Sequence, residues 1–131
     1  MRISILIAPL MMAACVQELE IPDGRAAFIQ DCATCHGNDA KGTGPLLQSV
    51  GLVAPDLTQI SARNGGVFPR QEVMAIIDGL NRDPHFSQAM PEFGAEDLGE
   101  AVIVEGPDGL GTPTPVRLIA LADYLEGIQT P

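Results

Sequence analysis

A chain of 131 residues with 7 basic and 17 acidic side chains, formal net charge −10, is long enough for one domain and little more. That balance excludes a nucleic-acid binder, whose affinity rests on Lys and Arg neutralising phosphates, and a polybasic face for an anionic membrane surface. Apolar residues make up 46%, enough for a core, but aromatic residues are only 4% and tryptophan is absent. So small a domain with so few large rings leans on something other than protein to fill its interior.

The chain begins MRISILIAPLMMAAC, with Arg2 followed by an apolar run from Ile3 to Ala14. The run is too short for a bilayer, which needs ~20 residues, and has the size of a secretory h-region. Ordinary cleavage after Ala14 would put Met12 at −3, a poor fit. MAAC is similar instead to a bacterial lipobox, with Met12 where Leu is usual and Cys15 as the lipidated residue. Lipidation also accounts for an odd cysteine in an oxidising compartment. The expected organisation is a signal peptide over 1–14, a lipidated N-terminus and tether over 15–22, and one domain over 23–131. Fully extended, that tether reaches at most ~30 Å, which keeps the domain close to the membrane.

Asp23 reads as the N-cap of a first helix, in which Ala27, Phe28, Cys32 and Cys35 cluster on one side. Residues 37–66 carry Gly37, Gly42, Gly44, Gly51, Gly65 and Gly66 together with Pro45 and Pro55, so no long regular element fits there. A second helix is expected over 69–78, with Pro69 in its first turn, an apolar face of Val73, Met74, Ile76 and Ile77, and Gly79 as its stop. Residues 81–94 read as irregular, AEDLGEA as a weak helical turn, and VIVEGPDGLGTPT as a strand-like scrap followed by a turn-rich loop. The final helix takes Thr114 as N-cap and Pro115 as N1, with Leu118, Leu121, Ala122, Leu125 and Ile128 repeating on one face.

The chemistry is concentrated in CATCH, where Cys32 and Cys35 stand three apart and His36 follows directly. For this composition the pattern arises by chance about once in a thousand such chains. Zinc would need a fourth ligand, and only His85 remains. A thioredoxin-like couple would need a preceding strand, and a plain disulfide gives His36 no role. Covalent haem attachment uses all three side chains: two thiols a helical turn apart reach the vinyl groups on one macrocycle edge, and the histidine lies beneath the iron.

From about Asp23 to Gln129 the chain resembles a bacterial class I cytochrome c. The resemblance is carried by DGRAAFIQDCATCHG, KGTGPLL, APDLT with RNGGVFP, AMPEFG and LIALADYLEGIQ, in that order. It implies an all-α small cytochrome c fold, about three to four helices around one covalently attached haem c with long irregular loops. It implies that the Pro45 carbonyl accepts the Nδ1–H of His36, that Met90 is the distal axial ligand with His85 as its rival, and that Arg63 pairs with a haem propionate. It further implies that the first and last helices cross, Gly24 and Phe28 meeting Leu121, Tyr124 and Leu125. The segment over 96–112 is longer than minimal members of the family show.

The function so implied is one-electron transfer on the periplasmic side of a bacterial membrane, with no bond made in a substrate. The expected partners are redox proteins, and the membrane through the lipid anchor; the acidic surface reads first as solubility and second as steering toward a basic docking face. Two alternatives stay open: a fixed haem subunit of a larger oxidoreductase, and a haem-based ligand-binding or sensing protein.

Overall fold

The computed structural model describes residues 19–81, 90–95, 98–106 and 109–131. Cys15, His85 and the signal-peptide residues lie outside them. The first helix, α1 (Gly24–Asp31), starts where expected: Asp23 Oδ1 accepts from the backbone N–H of Arg25 at 2.8 Å and of Ala26 at 3.2 Å. A break at Cys32 separates it from α2 (Ala33–His36).

Residues 37–66 hold only short pieces, as the glycines and prolines predict. These are α3 (Pro45–Ser49), a 3-10 turn over Leu57–Gln59, and α4 (Ile60–Arg63). Then come α5 (Arg70–Asp78), a 3-10 turn over Phe93–Ala95, strands β1 (Ala101–Glu105) and β2 (Gly111–Pro115), and α6 (Val116–Gly127).

The expectation of an all-α chain is corrected by that antiparallel hairpin, in which Val102 faces Thr114 and Val104 faces Thr112. The GTPTP segment, read as loop, is its second strand. Backbone bonds outside each end, Gly106 N–H to Leu110 O and Val116 N–H to Glu100 O, both 2.8 Å, fix which pairs are bonded. Bonded pairs alternate along an antiparallel ladder, so Pro113 and Pro115 fall on positions that need no N–H. Thr114 is therefore strand rather than cap, and Pro115 is the N-cap of α6, not its first residue. Pro69 is likewise the N-cap of α5, while Gly79 closes that helix in the left-handed conformation, φ 97°.

The core forms where α1 crosses α6. Phe28 and Leu121 are the largest fully buried side chains, and the Phe28 and Tyr124 rings lie 5.2 Å apart. A Cβ on Gly24 would stand 2.0 Å from the Ala120 carbonyl oxygen, so only glycine permits this approach. Val73 and Ile77 bring α5 into the same cluster. At its far end α6 holds the 57–61 segment: Gln129 donates to Leu57 O at 2.8 Å and accepts from Ser61 N–H at 2.8 Å, and Thr130 N–H donates to Thr58 O at 3.0 Å.

Candidate functional site

Cys32 sits at the joint between α1 and α2. Its N–H closes α1 on Phe28 O at 2.9 Å, and its own carbonyl accepts from Cys35 N–H at 3.1 Å and His36 N–H at 2.9 Å. All three motif side chains therefore leave one interrupted helical turn. The carbonyls that a helix end leaves open are taken by the loop that follows. Gly37 N–H donates to Ala33 O at 2.8 Å, Gly42 N–H to His36 O at 2.8 Å and Gly44 N–H to Cys35 O at 3.1 Å. The loop is thus folded back tightly over the motif.

Burial pushes the Cys32 thiol up to about 12; the Asp31 charge and Cys35 push the same way and Arg117 opposes them. Such a thiol is almost wholly protonated at neutral pH and is a poor redox nucleophile, which speaks against a thiol–disulfide couple. Cys32 and Cys35 are not bonded to each other. Among the described residues no three Cys, His, Asp or Glu side chains gather to hold a metal ion; His85 lies outside them.

His36 is held below the ordinary histidine pKa by burial, with the Pro55 backbone carbonyl working in the opposite direction. The ring is therefore neutral near pH 7, the state in which a nitrogen lone pair is available to a metal. Its Nδ1 is buried and has no hydrogen-bond partner among the described residues. The carbonyl that bears on the ring is that of Pro55, not that of Pro45. The path of the loop explains this. Gly44 turns back onto Cys35, sending Pro45 out to the exposed start of α3, whereas Ala54 N–H donates to Gly42 O at 3.2 Å and brings residue 55 over the motif.

Met90 is half-buried and packs against the same buried cluster as Cys32. Met74 of α5 packs there too, so two thioethers share that cluster. The turn after Met90 is fixed in place: a Cβ on Gly94 would stand 2.1 Å from Asp78 Oδ1 and 2.4 Å from Asp78 O. Gly94→Ala is expected to push the Phe93–Ala95 turn off the end of α5. The cost is about 1–3 kcal/mol, to be read as a lower urea midpoint with an unchanged m-value. Arg63 ends α4, exposed, with its charge felt by Asp56.

An incomplete interior marks the same region. Leu57, Ile60, Phe68, Met74, Met90 and Phe93 pack against the buried cluster yet remain only partly covered. A large flat apolar body would close such walls at about 25 cal/mol per Å² of apolar surface removed from water. The two thiols, the neutral imidazole, the thioether and the half-covered apolar walls together fit a haem.

Residues 20–105, well over half of the chain, match the family described as cytochrome c oxidase, cbb3-type, subunit III. The match ends with β1, so β2 and α6 lie beyond it. Comparison with the curated proteins and with the solved structures gave no match.

Proposed function

Since the chain belongs to the family of cytochrome c oxidase, cbb3-type, subunit III, and is a c-type cytochrome, we propose that it carries one haem c and passes single electrons at the periplasmic side of a bacterial membrane. Cys32 and Cys35 would hold the macrocycle as thioethers, His36 and Met90 would be the axial ligands, and Arg63 would face a propionate. A bound haem c supplies a one-electron Fe(III)/Fe(II) couple. The observation that carries the reading is that Cys32, the first residue of CATCH, and Met90 pack against one buried cluster whose walls are only half-covered.

Each residue has a task in this reading. The neutral His36 imidazole presents a lone pair. A thioether ligand from Met90 would favour ferrous over ferric iron and raise the potential, which suits a carrier. The walls formed by Leu57, Phe68 and Phe93 keep water away. With both His36 and Met90 holding the iron, no place would be left for O₂ or peroxide, which would separate a carrier from a catalyst or a sensor.

Among the described residues no helix is long and apolar enough to cross a membrane. Attachment is assigned to lipidated Cys15 and the tether over 15–22, and docking to redox proteins with a basic face, drawn by the acidic surface. The full-length protein is expected to fractionate with membranes, and Cys15→Ser to move at least tenfold more of it into the soluble fraction. A wild-type protein that is already soluble, or a Cys15→Ser variant that stays membrane-bound, overturns the tether. The family description favours a second reading, a fixed subunit of an oxidase. Co-purification of a stoichiometric partner through detergent extraction would select it over a mobile carrier.

A further inference from the structure

Asp31 is the last residue of α1 and immediately precedes Cys32; Arg117 lies in the first turn of α6. Arg117 Nη2 and Nε donate to the same carboxylate oxygen, Asp31 Oδ2, at 2.5 and 3.1 Å. The two side chains are only 27% and 19% exposed. Arg70 differs among the described residues: it meets Asp123 and Glu126, which are 58% and 50% exposed and serve the α5–α6 surface. Both members of the inner pair act on the Cys32 sulfur, Asp31 and Arg117 in opposite senses, so both charges lie within electrostatic reach of the motif.

We propose that Arg117 and Asp31 form a compensated charge pair that tunes the reduction potential of the haem attached at Cys32, Arg117 raising it and Asp31 lowering it. The inference rests on the haem c reading above. Reduction adds one negative charge to the iron centre, so a nearby carboxylate opposes it and a nearby guanidinium assists it. Partial burial spares the pair most of the ionic screening that surface charges suffer. Held together the two nearly cancel; separated, each acts at full strength. Both are positioning residues, since neither is assigned contact with the iron. The pair also ties α6 to the end of α1.

The test is a spectroelectrochemical titration of the full-length holoprotein and four variants, with urea unfolding in parallel. Asp31→Asn is expected to raise the potential and Arg117→Gln to lower it. The double variant returns to near the wild-type value, and Arg117→Lys, which keeps the charge, stays there as well. Both single variants lose some stability in urea, as any interhelical pair would. A merely structural role would instead loosen the packing and move both single variants in the same direction. Potentials that shift together, or that do not shift while haem stays attached, overturn the proposal. Absence of covalent haem from the wild-type protein overturns the haem c reading itself, and that outcome is visible before any titration.

Discussion

A Cys32→Ala/Cys35→Ala variant is expected to accumulate without covalent haem and without fixed tertiary packing. The reason lies in how little of the interior the chain fills by itself: Phe28 and Leu121 are its largest fully buried side chains. Around them Leu57, Ile60, Phe68, Met74, Met90 and Phe93 wait half-covered. Leaving those walls open removes on the order of 5 kcal/mol, comparable to the whole stability margin of a small domain. α1 and α6 should each persist as helix, because their backbone bonds and the Asp23 cap act within each helix, while the packing between them loosens. The expected signature is therefore retained far-UV circular dichroism, lost near-UV signal and binding of a hydrophobic dye. A cooperatively unfolding, well-packed variant without haem would contradict this account of the core.

The second large effect is expected at the axial position. Met90→Ala should abolish the far-red sulfur–iron band and open the reduced iron to carbon monoxide. It should also lower the potential on the order of 0.2 V, within the ~0.8 V span over which axial ligands set haem potentials. Met74 makes this variant a sharp test, because both thioethers pack against one cluster. Met74→Leu, a volume-conserving swap, should keep the band and cost less than about 1.5 kcal/mol of stability. The opposite outcome, a band that survives Met90→Ala and vanishes in Met74→Leu, would move the ligand onto α5.

Much of this architecture was legible in the sequence because its signals are local. Asp23 caps α1 and Gly79 ends α5 through side-chain and backbone properties that act within a few residues. The two helix starts set by proline came out one residue late, at Arg70 and Val116, because a residue without N–H suits the N-cap as well as the first turn. The second strand was missed for a related reason. Prolines at every second position read as loop unless the pairing register is known, and the register is fixed only by Glu100 and Gly106 across the hairpin.

The motif itself was plain, since three adjacent side chains carry it, but its surroundings were not. That Pro55 rather than Pro45 presents its carbonyl to His36 depends on how the loop folds over Cys35 and Gly42. The Asp31–Arg117 pair joins residues from the two ends of the domain, and no short-range pattern announces it.

A haem c is proposed at Cys32 and Cys35, with His36 and Met90 holding its iron. Its most direct test is the visible spectrum of the full-length protein, oxidised and reduced, with carbon monoxide then added to the reduced form. Low-spin spectra, a far-red sulfur–iron band in the oxidised state and no change with carbon monoxide are expected. A high-spin spectrum, or rapid formation of a carbon monoxide complex, would contradict this ligation and place an open iron site where the account puts the Met90 sulfur.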